Sequence, residues 1–324
     1  MKKLSIAAIV LASIAVVGQI FVFATHKEDS NDTYRKALQS DYRVYAPVLP
    51  DSIDFCGESV PTDVFYVREA LERELMVNMY WQSNMLQCMK RAGRYFPIIE
   101  PILKRNGVPA DFRFLCVIES GLTNATSPAK AQGFWQFIKA TGQRYGLEIT
   151  DEVDMRNDIT ASTEAACRYL KSLHARFGSW TAAAAAYNCG EAGLSSRMTR
   201  QNATSYYHTY LNRETTRYVY RILAVKLIME HPKDYGFYLR QRDLYSPVPT
   251  TEVELTGQNV DLYNFARTRG TSYKMLRELN PWLQTDKLVN KQNRTYKVAL
   301  PAPSHGGLSR LLHPDQGSAI VEHL

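Results

Sequence analysis

Cysteine is scarce in this sequence, and no two of the five copies lie close together. They are Cys56, Cys88, Cys116, Cys167 and Cys189. Zinc sites need closely spaced pairs of ligands, so we expect no metal centre, and no other feature predicts a cofactor. In an oxidising compartment two disulfides and one free thiol would fit the count, but small buried thiols fit it equally well, so the pairing stays open.

The sequence also lacks a basic stripe interleaved with aromatic residues. Its 39 lysines and arginines give a formal net charge of +7, but they are scattered along the chain. Nucleic-acid-binding proteins concentrate positive charge on one face or helix, so we expect no nucleic acid partner. A mild excess of positive charge is better matched to an anionic cell-wall or membrane surface.

The first residues of the chain resemble an export signal. Lys2 and Lys3 precede an uncharged, mainly apolar run over residues 4–24. The run exceeds the about 7 to 15 residues of a signal-peptide core and just reaches the about 20 residues of a membrane-spanning helix. Residues 1–25 are therefore either a cleaved signal peptide, which would release the protein into the periplasm, or an anchor in the cell-envelope membrane. No cysteine follows closely enough for lipid modification.

The remaining sequence divides into four parts. Residues 26–63 are polar and interrupted by three prolines, which predicts a spacer. Over residues 64–240 apolar side chains recur at spacings of three and four, which predicts a helical domain. Residues 249–302 predict a small strand-helix-helix-strand domain, and residues 303–324 a flexible tail. The fold class is therefore mainly α.

Individual elements follow from the same patterns. We expect helices over residues 64–79, 95–104, 109–120, 160–177 and 213–230, and, in the small domain, strands over 252–255 and 296–300 with helices over 261–269 and 273–279.

One acidic residue occupies a position where the helical pattern expects a core side chain. On a helix from Pro109 to Ser120, Glu119 continues the stripe formed by Phe112, Leu115 and Cys116. Burial and the nearby helix C-terminus both disfavour a charged carboxylate, so its pKa should rise. A carboxyl group that keeps its proton near neutral pH can protonate the leaving oxygen of a glycosidic bond. The alternative is a carboxylate that is neutralised by a buried arginine or turned outward.

Several short motifs accompany Glu119 in a fixed order. They are Glu119-Ser120, Ser127-Pro128, Gly133-Phe134-Trp135-Gln136, Tyr187-Asn188-Cys189-Gly190 and Glu214-Thr215-Thr216-Arg217-Tyr218. Together they resemble the motifs of the soluble-lytic-transglycosylase superfamily, and the resemblance covers roughly residues 81–229. It implies a lysozyme-like helical catalytic domain that acts on the glycan strands of peptidoglycan.

Four of these residues are suited to a site that binds an amino sugar. Gly133 leaves room for a substrate to approach the backbone, and Gln136 has an amide that can donate and accept at once. The resemblance implies that Gln136 contacts an N-acetyl group, that Tyr187 orients the catalytic carboxyl group and that Asn188 binds the sugar. Alternatively, Gly133 serves only a turn, and the amide of Gln136 is satisfied by neighbouring backbone.

The resemblance also implies roles at the edges of the site. Glu214 would help to shape a sugar subsite, Tyr218 would pack near the acid, and Ser120 and Ser127 would contact the substrate. An ion pair with Arg217, three residues along the helix, is the rival explanation for Glu214.

The resemblance implies non-hydrolytic cleavage of the MurNAc-GlcNAc β-1,4 bond, with Glu119 as the single catalytic acid and base and a 1,6-anhydromuramoyl product. A lysozyme-like hydrolase and a noncatalytic peptidoglycan-binding protein are the alternatives. The small domain contains Val260-Asp261-Leu262, Ala266, Tyr273, Leu276 and Asn280-Pro281-Trp282. With these residues it resembles a degenerate lysin motif, which implies either a glycan-binding module or a structural cap.

Overall fold

The computed structural model describes residue 31 and residues 44–302. The predicted export segment over residues 4–24 and the predicted tail over residues 303–324 lie outside the described residues. Within the described part, no helix is both long enough and apolar enough to cross a membrane.

The part of the chain before residue 240 is built from helices, which confirms the mainly α prediction. A short hairpin, β1 (Asp54–Phe55) and β2 (Glu58–Ser59), precedes α1 (Phe65–Tyr80), α2 (Gln82–Arg105), α3 (Phe112–Ser120), α4 (Lys139–Arg144), α5 (Ile159–Phe177), α6 (Trp180–Cys189), α7 (Glu191–Gln201) and α8 (Arg213–Glu230).

Helix α8 is the central element of this part. It packs against α1, α3 and α6, and most of its length is buried, including Tyr218, Val219 and Ile222. Asn212 caps its start, because the side-chain oxygen accepts a hydrogen bond from the backbone N–H of Thr215 at 2.9 Å. This helix has the predicted bounds, so Glu214 and Tyr218 do lie one turn apart on it.

Helix α3 begins three residues later than the sequence pattern predicts. Residues 109–111 form a tight turn in which Phe112 N–H donates to the carbonyl of Pro109 at 3.2 Å. The Asp111 side chain is drawn away from a capping position by Lys226, whose ammonium group lies 2.7 Å from it. The helix ends as predicted, at Gly121 in the left-handed conformation with φ 60°.

Part of the predicted spacer packs on the helical domain. Phe55 is fully buried and meets Phe112 edge to face, with ring centroids 5.4 Å apart. The carboxylate of Glu58 accepts hydrogen bonds from Trp180 N–H at 2.6 Å and Thr181 N–H at 2.9 Å, at the start of α6. Residues 53–60 are therefore part of the packed domain.

The C-terminal module has the predicted strand-helix-helix-strand order. It consists of β3 (Thr250–Leu255), β4 (Val260–Asp261), α9 (Leu262–Thr268), α10 (Tyr273–Leu279), β5 (Lys287–Leu288) and β6 (Tyr296–Pro301). The long strands β3 and β6 pair antiparallel over their whole length, and β4 pairs with β5. The two-residue strands β4 and β5 were not predicted, because an alternating pattern cannot be recognised over two residues.

The module shares its core with the helical domain. Val153, from the loop between α4 and α5, is 1% exposed and belongs to the same apolar cluster as Trp282 and Leu283. The backbone continues this contact: Asp154 N–H donates to Trp282 O at 2.9 Å, and Gln284 N–H donates to Glu152 O at 2.8 Å. Residues 47–238 and 244–302 accordingly form one compact unit.

Replacing Val153 with aspartate is expected to loosen the C-terminal module. The new carboxylate would be buried in an apolar core without a partner, which costs several kcal/mol, on the order of 3. Hydrogen exchange should then speed up at Gln284 N–H, whose acceptor is Glu152. Val77→Asp, at a valine that is 42% exposed on α1, is the matched control; equal protection in both variants would contradict the shared core.

A second, small unit includes residues 31, 44–46 and 239–243 of the described part. Within it the guanidinium group of Arg240 pairs with Asp243 at 2.9 Å and donates to Asn31 at 2.9 Å.

All five cysteines lie within the described residues, and each is a free thiol. Cys88, Cys116 and Cys167 are buried, which is the environment of small packing thiols.

Candidate active site

Glu119 lies in the last turn of α3, on the face that the sequence predicts. Phe112, Leu115 and Cys116, which precede it on that face, are fully buried. The carboxyl group itself is mostly enclosed but retains some solvent access. Its oxygen Oε1 accepts a short hydrogen bond from the hydroxyl of Tyr218 on α8.

Burial raises the pKa of Glu119 to about 7. The hydrogen bond from Tyr218 and the positive charge of Arg221 lower this pKa, and the negative charge of Glu214 raises it, but burial has the largest effect. Near neutral pH the group therefore exists in both its acidic and its basic form, as a general acid and base requires.

No ion pair neutralises Glu119 within the part of the chain that the structure describes. Arg221, whose charge acts on this carboxyl, instead donates from Nη2 to the carbonyl of Ile118 at 3.1 Å. The alternative of a carboxylate paired with a buried arginine is therefore wrong. Arg221 was missed in the sequence, although it lies three residues after Tyr218 and so shares its side of α8.

Replacing Tyr218 with phenylalanine is expected to raise the pKa of Glu119 above about 7, because the hydrogen bond that favours the ionised form is lost. The pH profile of kcat/KM on glycan should shift to higher pH by roughly one unit. Tyr220→Phe, which removes a hydroxyl from another face of α8, is the control and should leave the profile in place. A profile for the Tyr218 variant that coincides with the wild-type curve would contradict this contact.

Tyr187 makes no hydrogen bond to the carboxyl group of Glu119. Its hydroxyl donates to the backbone carbonyl of Trp135 at 2.7 Å, and its ring packs 5.1 Å from that of Tyr169. Burial, with a further contribution from the charge of Glu119, raises the pKa of Tyr187. The two groups are thus electrostatically coupled, but Tyr187 supports the loop that carries Gln136, and Tyr218 provides the direct contact.

Gln136 sits in this loop with a strained backbone, at φ 49°. Its amide nitrogen donates to the carbonyl of Ala125 at 2.9 Å and to that of Gly133 at 2.8 Å. Both amide hydrogens therefore serve the loop, as the alternative interpretation expected. Among the described residues no donor reaches Oε1, so this oxygen is the part of the amide that is left for a ligand.

Gly133 is required by the protein's own backbone. A Cβ atom at this position would lie 1.9 Å from the carbonyl oxygen of Arg156, and the residue has φ 80°. The sequence analysis expected Gly133 to leave room for a substrate at the backbone. That reason for a glycine is wrong, because residue 156 already fills the space.

Arg156 stabilises the loop that carries Gln136, and the sequence analysis did not predict this role. It is 5% exposed and pairs with the equally buried Asp154, with Nη2 and Oδ2 2.5 Å apart. Its Nη1 donates to the carbonyls of Lys130 at 3.0 Å and Phe137 at 3.1 Å, at the two ends of the loop. An Asp-x-Arg sequence in a polar stretch carries no sign that its side chains turn inward.

Asn188 and Glu214 form a second polar group. The amide nitrogen of Asn188 donates to Glu214 Oε1 at 3.3 Å, and its oxygen accepts from the hydroxyl of Thr215 at 3.0 Å. The alternative that Glu214 pairs with Arg217 is wrong. Arg217 instead binds the buried Glu74 of α1 through two nitrogens, at 2.7 and 3.1 Å.

The two predicted serines make local hydrogen bonds. Ser120 Oγ donates to the carbonyl of Cys116 at 3.2 Å, and Ser127 Oγ accepts from Ala131 N–H at 3.0 Å. These bonds shape the backbone on either side of the turn after α3.

The described residues contain no group of three or more histidine, cysteine or acidic side chains that could hold a metal ion.

Comparison with known proteins identifies the two parts of the chain. Residues 96–209 match the transglycosylase SLT domain, and residues 251–304 match the soluble lytic transglycosylase C-terminal LysM-like domain. The protein thus contains an SLT transglycosylase domain and a LysM-like domain, as the motifs predicted. Glu214 and Tyr218 lie just beyond the first match.

The chain is homologous to two curated proteins named membrane-bound lytic murein transglycosylase D, from Escherichia coli strain K12 and Escherichia coli O6:H1 strain CFT073. It is 34% identical to each over 183 residues, which is 55% of this chain and 40% of each relative. The chain therefore matches well under half of the length of these relatives.

Proposed function

We propose that this protein is a peptidoglycan lytic transglycosylase that cleaves the MurNAc-GlcNAc β-1,4 bond and leaves a 1,6-anhydromuramoyl end. The observation that carries the proposal is the buried Glu119, whose pKa is raised to about 7 and whose carboxyl group is bound by Tyr218. It lies within the matched transglycosylase domain.

In the first step Glu119 donates its proton to the bridging oxygen, while the carbonyl oxygen of the sugar's acetamido group attacks C1 and the glycosidic bond breaks. In the second step the ionised carboxylate takes the proton of the C6 hydroxyl. The C6 oxygen then bonds to C1, and the acetamido group is released. One carboxyl group thus serves as acid and then as base, and no water is consumed.

The neighbouring groups fit this reaction. Oε1 of Gln136, whose amide nitrogen is held by Ala125 and Gly133, would accept the N–H of the acetamido group and so aim its carbonyl oxygen at C1. Asn188 and Glu214 would contact the hydroxyls of a sugar. Glu214 is already bound by Asn188, so we assign it to sugar binding and not to proton transfer.

We place this activity in the cell envelope, where peptidoglycan lies. The related proteins are named as membrane-bound, and the export segment predicted for residues 1–25 would take the chain there.

The reducing ends formed from purified sacculi test the proposal. Mass analysis of the soluble fragments should show anhydromuramoyl ends, which are 18 Da lighter than free muramic ends because no water is added. Free ends would identify a hydrolase that uses the same acid. If the wild-type protein binds sacculi but releases no fragments, it is a noncatalytic binding protein.

A further inference from the structure

A pocket of about 420 Å³ lies beside the helix that carries Glu119. This volume is within the range of small-ligand sites. The side chains and backbone that line it come from α2, from the turn after α3, from the segment that leads into the C-terminal module, and from α10 of that module. They include Arg91, Arg94, Leu122, Tyr245, Arg277 and Glu278.

The lining of this pocket is positively charged. It contains three guanidinium groups, those of Arg91, Arg94 and Arg277, and one carboxylate, that of Glu278. Asp286 also lies 3.7 Å from Arg277, so one positive charge remains in excess. Within the part of the chain that the structure describes, neither Arg91 nor Arg94 has a carboxylate within 4.0 Å. Such guanidinium groups are suited to bind a carboxylate.

Backbone contacts hold these arginines at the edge of the pocket. Arg91 Nη1 donates to the carbonyl of Gly121 at 3.1 Å, and Arg94 Nε donates to that of Ser246 at 3.0 Å. Each of the two arginines keeps further N–H groups for a ligand, because a guanidinium group has five.

Arg277 brings the C-terminal module into the pocket. Its Nη1 donates to the hydroxyl of Tyr273 at 2.6 Å and lies 3.7 Å from Asp286. Its Nε is buried, and among the described residues it has no hydrogen-bond partner. A buried donor without a partner is costly, so a shift of this side chain that brings Nε to a ligand oxygen in the pocket would be favoured.

The pocket is within reach of the proposed reaction centre. Leu122 lines it and follows Glu119 by three residues, so their Cα atoms are at most about 11 Å apart. A peptide of four residues can extend over about 14 Å. A chain attached to a sugar that Glu119 cleaves can therefore enter the pocket.

We propose that this pocket binds a carboxylate of the stem peptide that peptidoglycan carries on its muramic acid. The proposal rests on the proposed function, because it names which part of the same substrate is recognised. It gives the C-terminal module a direct share in substrate recognition through Arg277.

The test compares glycan strands with and without their stem peptides; an amidase removes the whole stem and leaves only the lactyl carboxylate of the muramic acid, which stays on the sugar. Glycan strands with intact stems and the same strands stripped of stems by an amidase are digested with wild-type protein and with Arg94→Gln/Arg277→Gln. We expect the ratio of kcat/KM on stemmed to stripped glycan to fall about tenfold in the double variant. Arg68→Gln and Arg267→Gln, at arginines outside the pocket, are matched controls that should keep the wild-type ratio; an unchanged ratio in the double variant would refute the proposal.

A binding measurement separates this proposal from the proposed function. The tetrapeptide stem, free in solution, is titrated into full-length Glu119→Gln protein by calorimetry, with its amidated form and with inorganic phosphate as competitors. If the free acid binds more tightly than the amidated peptide, the result supports a carboxylate site, even if no cleavage occurs. The assignment to stems would be overturned if phosphate binds as tightly as the peptide and displaces it, or if the peptide does not bind.

Discussion

Glu119→Gln is expected to abolish glycan cleavage, with a loss of roughly 10²- to 10⁴-fold in kcat. The amide has nearly the shape of the carboxyl group and can still interact with Tyr218, but it can neither give up nor accept a proton under these conditions. The variant should therefore bind sacculi as the wild-type protein does and release far fewer fragments. Glu72→Gln, on the exposed face of α1, is the control; equal release by the two variants would exclude Glu119 as the catalyst.

The same substitution should stabilise the protein at alkaline pH. The pKa of Glu119 is raised to about 7 in the folded protein, while an unfolded glutamate has a pKa of about 4.3. The folded state therefore binds the proton more tightly, and this stabilisation is complete below about pH 4 and lost as the pH rises to 7.

Above pH 7 the wild-type protein carries a buried charge that the glutamine variant lacks. We expect the variant to be more stable at pH 8 by about 2 kcal/mol, a value discounted for the solvent access that the carboxyl retains, and to differ little at pH 4. Urea unfolding at both pH values measures this. A variant that is less stable at pH 8 would show that Glu119 is ionised at low cost.

Gly133→Ala is expected to destabilise the protein by at least about 3 kcal/mol, because its Cβ would overlap the carbonyl of Arg156. The loop or the chain at residue 156 would have to move, and Gln136 would move with it. Glycan cleavage should therefore fall as well, even at a temperature where the variant stays folded.

Gly178→Ala is the matched control for this substitution. Gly178 also has a positive φ, of 68°, but a Cβ there would meet nothing within 4 Å. It should cost about 1 kcal/mol from backbone strain alone and leave activity intact. Equal unfolding free energies for the two variants would contradict the steric explanation.

The sequence predicted those features that local patterns encode. The bounds of α8 follow from the helical spacing of its apolar residues. The position of Glu119 on a buried stripe follows from the period of α3, and the order of elements in the C-terminal module from alternating and helical patterns.

Contacts between distant segments could not be predicted in this way. Arg217 was weighed as a partner of Glu214 because they are close in sequence, but Glu74, 143 residues away, holds it. Arg156 and Val153 are in a polar segment of the sequence, and only the folded structure shows that both side chains are buried. The role of Tyr218 at the carboxyl group was likewise clearer from geometry than from motif order.

The C-terminal module is held against the helical domain. Val153 fills part of the module's core, and Tyr245 N–H, in the segment that leads into the module, donates to Lys90 O at 2.9 Å, so the module cannot swing freely on a linker. If it grips a glycan strand, each cut should fall a constant number of sugars from the gripped position. Fragment lengths would then cluster around one value, whereas a module on a flexible linker would give a broad distribution of fragment lengths.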